Sequence, residues 1–189
     1  MTPLLVWLVG VAVLLVAAGG SVVRSLPLTA RAAPAAGVVV LVLVGEALDL
    51  IPDAPTRAVH VLGVASVGLL AVSAGSAVTA VVLGWVMRDD VVPGSHGGIL
   101  VASADEPAPT PNRPEVLRGG AAIGYLERFA IIGAALVGRL EIIAAVIAIK
   151  GLGRFTELDT AAARERFIVG TLTSACWAGT GAAAAVSLV

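Results

Sequence analysis

Long runs of Val, Leu, Ala and Ile recur along this chain, separated by clusters of Pro, Gly and charge. Most approach the roughly 20 residues that a bilayer's hydrocarbon core demands of a helix. They place candidate spans at 3–23, 33–51, 59–86, 120–138, 140–155 and 166–188. Arg24 and Arg31 follow the first span, with Pro27 and Pro34 breaking the chain between helices. The second span ends in the short turn Ile51-Pro52-Asp53-Ala54-Pro55. The third is long, has a small-residue centre (Ser73, Gly75, Ser76, Thr79) and should tilt to fit. Residues 87–119 differ: Pro93, Pro107, Pro109, Pro111 and Pro114 stand among charges, which reads as a flexible loop without a core of its own. The expected organisation is an all-α integral membrane bundle. It has a three-helix region (1–86), a cytoplasmic Pro-rich loop (87–119) and a C-terminal three-helix module (120–189).

Residues 129–149 could instead form one helix, giving five crossings, but this strands Arg139 and Glu141 near the midplane at about 2.5–3.5 kcal/mol each. A tight turn at Gly138-Arg139-Leu140-Glu141 avoids that cost. The cations favour the same answer. With six crossings, Arg24, Arg31, Arg88, Arg113, Arg118, Lys150, Arg154, Arg164 and Arg166 share one side, against Arg57 and Arg139 on the other. Five crossings move the last four of these across and erase the contrast. The positive-inside rule therefore predicts six helices with both termini outside the cytoplasm.

Composition agrees. Hydrophobic residues make up 58% and charged ones 13%, with a mean hydropathy of +1.00, so a soluble fold would have almost no polar surface to show water. A net charge of −1 and the lack of any basic, aromatic-interleaved stretch argue against nucleic acid as a partner. Cys176 is the single cysteine, which excludes a disulfide framework and a cysteine metal cluster; it reads as a small packing residue. Met1-Thr2-Pro3 lacks a cationic n-region and the run Leu4–Val23 is long for a signal peptide. The first span therefore reads as retained, although Ala17-Ala18-Gly19 mimics a cleavage site. High Ala, Val and Gly usage and eleven Arg against one Lys suggest a GC-rich genome, and the expected location is a bacterial cell inner membrane.

An ionisable group inside a span is a functional hypothesis by default. Glu46 and Asp49 lie one turn apart, with Asp53 beyond Pro52 and His60 nearby. These outer carboxylates could hold a cation or relay a proton, or simply sit in water, since Pro52 disrupts a shared face. Folding the fourth and fifth spans about 139–140 puts Glu127 and Lys150 at similar depth. The hairpin thus predicts an intramembrane ion pair, either member of which alone would be uncompensated. Arg128, Arg154, Glu157 and Glu165 complete an inner charge cluster in which Glu157 and Glu165 can answer Arg154 and Arg128. Alternatively the guanidinium groups bind a lipid phosphate or snorkel to the headgroups.

For helix contacts the chain offers small residues at four-residue spacing: Ser76, Ala80 and Gly84 in the third span, Gly170, Ser174 and Ala178 in the sixth. Trp7, Trp85 and Trp177 make only part of an aromatic belt. No catalytic residues, metal ligands or cofactor motif can be named. His-Glu-x-x-His, P-loop, Gly-x-Ser-x-Gly and paired cysteines are all missing. Gly151-Leu152-Gly153 follows a helix rather than a strand, Gly94-Ser95-His96-Gly97-Gly98 reads as a linker, and His60 and His96 fall on opposite sides of the membrane.

From Gly124 to Ser174 the chain resembles an uncharacterised bacterial multi-pass membrane module. The residues that carry the likeness are Gly124-Tyr125-Leu126-Glu127-Arg128, then Lys150, then Arg154-Phe155-Thr156-Glu157-Leu158. Glu165-Arg166-Phe167-Ile168-Val169-Gly170-Thr171-Leu172-Thr173-Ser174 completes it. Members carry a Glu-Arg pair, a Lys followed by Arg-Phe-x-Glu-Leu, and a Glu ahead of Ile-Gly-Thr-Leu-x-Ser. Arg166 stands where an aromatic is common, and Gly151-Leu152-Gly153 is more flexible than the usual stretch. The resemblance implies no activity; it marks Glu127, Arg128, Lys150, Arg154, Glu157, Glu165, Thr171 and Ser174 as pattern positions.

Three functional classes follow. The first is a non-catalytic scaffold or accessory subunit, with membrane lipids and a membrane-protein partner or second copy as its company. The second is a small transporter or channel using the intramembrane carboxylates. The third is a lipid-phosphate binder or lipid-directed enzyme, taking anionic headgroups on its arginines.

Overall fold

The computed structural model describes residues 2–87, 120–154 and 161–189; the segment read as a Pro-rich loop lies outside them, as does Glu157. Among the described residues there are six α-helices and no strand. They are α1 (Pro3–Val22), α2 (Leu28–Ala47), α3 (Arg57–Met87), α4 (Gly120–Leu136), α5 (Glu141–Arg154) and α6 (Ala161–Ser187). Four stretches are long and apolar enough, by length and composition, to cross a membrane: Pro3–Val22, Leu28–Ala47, Arg57–Met87 and Arg164–Ser187. With 17 and 14 residues, α4 and α5 extend about 25 and 21 Å, short of a hydrocarbon core of about 30 Å.

The bounds of α2 differ from the expected 33–51. Pro34 does not break the chain but lies inside the helix, which starts directly after Pro27. A proline there forfeits the hydrogen bond to the Ala30 carbonyl. This end of α2 is nonetheless held, because Arg31 donates its Nε–H to the Ser21 carbonyl at the end of α1, at 2.8 Å. At the other end Leu50 N–H reaches Gly45 O (2.8 Å) and Asp49 N–H reaches Glu46 O (3.1 Å), with Asp49 at φ 52. These are the paired bonds of a Schellman cap, so the helix stops at Ala47. The same device ends α4: Arg139 N–H meets Ala134 O (2.8 Å), Gly138 N–H meets Ala135 O (3.1 Å), and Gly138 sits at φ 68. The chain doubles back there, and the single helix 129–149 does not form.

At the centre stands α3, packed against α1, α2, α4 and α6; α6 also meets α2 and α4, and α5 rests on α4. One core joins Leu14 and Ala18 of α1, Ala35 and Val39 of α2, Val67, Leu70 and Ala74 of α3, and Trp177, Ala184 and Ala185 of α6. Two glycines allow close approaches between these helices. A Cβ on Gly63 would strike the Trp7 ring, and one on Gly181 would strike Ala71.

Hydrogen bonds between distant segments fix the directions. Trp7 Nε1–H donates to Pro52 O at 2.7 Å, and His60 Nε2–H donates to Leu188 O at 2.6 Å. The starts of α1 and α3 therefore lie at one end of the bundle with the finish of α6, which runs antiparallel to α3. So does α4, since Arg128 lies beside Val72 and Ser76 while Ile132 lies beside Gly68. Outward faces are apolar: Val16, Leu41, Ile149 and Leu152 are each more than two-thirds exposed.

Candidate functional site

Where α3, α4 and α6 meet, Arg128 is buried to 3% exposure. Its Nε–H donates to Val72 O (2.9 Å), Nη1 to Ser174 Oγ (3.2 Å) and Nη2 to Ser76 Oγ (3.2 Å). All three acceptors are neutral. The Tyr125 ring, 5.1 Å from Cζ to its centroid, adds its negative face to the surroundings of the charge. Room for the side chain comes from Gly75, where a Cβ would collide with the Arg128 stem, and from Gly124, where one would lie 3.2 Å from Nη1. A buried cation is tolerable only when its donors find acceptors, and here each of the three nitrogens has one.

Glu127 points toward α5 and forms an ion pair with Lys150, the two side chains being 12% and 22% exposed. The hairpin makes this possible, because both residues lie some three turns from Gly138 along antiparallel helices. Ile131, Val146, Thr171, Ser174 and their neighbours close around the pair and leave a void of about 10 Å³. That is the space of about one water molecule. Ser174 borders this void and also accepts from Arg128, so it links the two charged groups. Nearby on α3, Thr79 Oγ1 is buried without a hydrogen-bond partner among the described residues.

The remaining candidates scatter. Glu165 is exposed near the start of α6 and does not answer Arg128, whose acceptors are the hydroxyls and carbonyl above. Arg154 ends α5, and Glu157 is outside the described residues. Glu46 is half-buried in the last turn of α2, while Asp49 and Asp53 are exposed beyond it. Because the helix ends between Glu46 and Asp49, the two share no helical face. His60 is occupied with the C-terminal segment, and the described residues contain no group of three or more His, Cys, Asp or Glu placed to hold a metal.

The small-residue stripes divide too. Gly170 lies against Leu83 and Thr79, Ser174 and Ala178 are buried, and Ser76 serves Arg128. Ala80 is half-buried, and Gly84 faces open space where a Cβ would stand, so it makes no close helix contact. Sequence reasoning missed Gly75 as the notch for Arg128, and Ser76 and Ser174 as its acceptors. The signal was present in two hydroxyls set within small-residue stripes and one cation lacking an acidic partner.

No protein-family model, no curated protein and no solved structure matches this chain.

Proposed function

We propose that this chain is a non-catalytic, multi-pass component of a bacterial inner membrane, a scaffold or accessory subunit. In this reading it crosses the bilayer six times, with α4 and α5 as a short hairpin and both termini outside the cytoplasm. One observation carries it: the polar groups of α4 are spent on the protein's own helices. Arg128 is bound by α3 and α6, Glu127 by Lys150, and the crevice beside that ion pair has room of about 10 Å³. A translocation path would need these groups to face a passage, and a headgroup site here would need Arg128 open to lipid, whereas it is buried. The pattern positions Glu127, Arg128, Lys150, Thr171 and Ser174 gather at this cluster.

Native purification in mild detergent tests the proposal. A membrane protein or second copy should come with the chain at a fixed ratio, and proteoliposomes of the chain alone should show no ion flux above empty vesicles. Flux abolished by Glu127→Gln would transfer the conclusion to a small transporter or channel. That second reading draws on Thr79, whose buried hydroxyl, one turn beyond Ser76, has no partner among the described residues.

A further inference from the structure

The helix α4 covers only part of α3. Ile132 lies near Gly68 and Arg128 lies against Val72, Gly75 and Ser76, after which the chain turns away at Gly138. The stripe of α3 that α4 occupies continues at helical spacing through Ala65, Leu62, Val61 and Ala58 to Arg57. There it is uncovered: those five residues form one open face of α3, with Val61 57% and Leu62 45% exposed. Four lining groups are apolar and the fifth, Arg57, is a cation at the first residue of α3. Arg57 has no hydrogen-bond or ion-pair partner among the described residues.

We propose that this face holds one anionic glycerophospholipid of the non-cytoplasmic leaflet, its phosphate on Arg57 and one acyl chain along Ala58, Val61, Leu62 and Ala65. The order of the lining, charge at the helix end and then apolar side chains toward the bilayer interior, is the order of an amphiphile. A planar guanidinium suits a phosphate because its N–H groups pair with two oxygens at once. A second helix fits less well: the apolar stretch from Ala58 to Ala65 is about 11 Å long, about a third of what a spanning partner would cover. Since an acyl chain is already in hydrocarbon before it enters, preference must come from the headgroup. The site should therefore select phosphatidylglycerol over phosphatidylcholine. This inference rests on the sidedness proposed above and on where the α4–α5 hairpin stops, and not on the scaffold role.

The test is native mass spectrometry of the full-length protein released from nanodiscs of equal phosphatidylcholine and phosphatidylglycerol. Wild type should retain one phosphatidylglycerol. Arg57→Ala should weaken that retention about tenfold, the effect of losing one charge-assisted contact of about 1.4 kcal/mol. Val61→Trp, which places a bulky ring where the acyl chain would lie, should do the same, whereas Arg139→Ala should leave retention unchanged. Equal retention of the two lipids, or phosphatidylglycerol retention unaltered by Arg57→Ala, would overturn the proposal. So would a stable dimer broken by Val61→Trp. If Val61→Trp fails to fold, Arg57→Ala decides alone.

Discussion

A guanidinium held by a carbonyl and two hydroxyls constrains the residue it lies against. Gly75 has no side chain because the Arg128 stem occupies the space where one would stand. Gly75→Ala should therefore cost about 1–3 kcal/mol, as overpacking does in other interiors. In an Arg128→Ala background the same change should cost far less, because the intruding stem is gone. Thermal unfolding of the four proteins in one detergent measures this cycle, and additive losses would count against the notch. Arg128→Lys should be destabilising as well, since one ammonium cannot reach Val72 O, Ser76 Oγ and Ser174 Oγ together. Here the sequence was legible only in part. It placed a cation in a span, but its acceptors lie 46 to 56 positions away on other helices, one of them a backbone carbonyl. No spacing rule within α4 registers such partners.

Among the elements, α2 and α4 end alike but with different residues in the left-handed position. Asp49 holds φ 52 where Gly138 holds φ 68. Left-handed backbone penalises a Cβ by about 1–2 kcal/mol, so Asp49→Gly should raise stability by up to about 1 kcal/mol and Gly138→Ala should lower it by about as much. Thermal shift in detergent reads both, and opposite signs are the diagnostic outcome. The hairpin that Gly138 permits brings Glu127 level with Lys150. Glu127→Ala and Lys150→Ala should each lower membrane yield, by up to about 3 kcal/mol of lost stability, and the double change should recover part of it. Additive losses would mean that the ion pair contributes nothing specific. The turn was readable because two charges at positions 139 and 141 make a continuous helix expensive. The limits of α2 were not, because Pro34 is tolerated in a helix end that Arg31 ties to Ser21 of α1.

For the whole molecule, the first three helices and α6 share one core, so the chain's two three-helix halves are packed into one bundle. Periodicity and composition gave the helices and the apolar character of their outward surfaces. They could not give the central position of α3, which depends on glycine contacts at Gly63 and Gly181 with residues far along the chain. What remains most exposed to test is how two helices of 17 and 14 residues relate to the bilayer. In the account offered here they cross it as a hairpin, made tolerable by charges answered inside the protein. Cysteine accessibility settles this in a Cys176→Ala background carrying Thr2→Cys, Arg24→Cys, Arg139→Cys or Val189→Cys. A membrane-impermeant reagent applied to intact spheroplasts should label positions 2, 139 and 189 and leave 24 untouched until the membrane is opened. Labelling of position 139 only after opening, together with 24, would contradict the hairpin crossing, and so would a position 139 that stays unreactive from both sides.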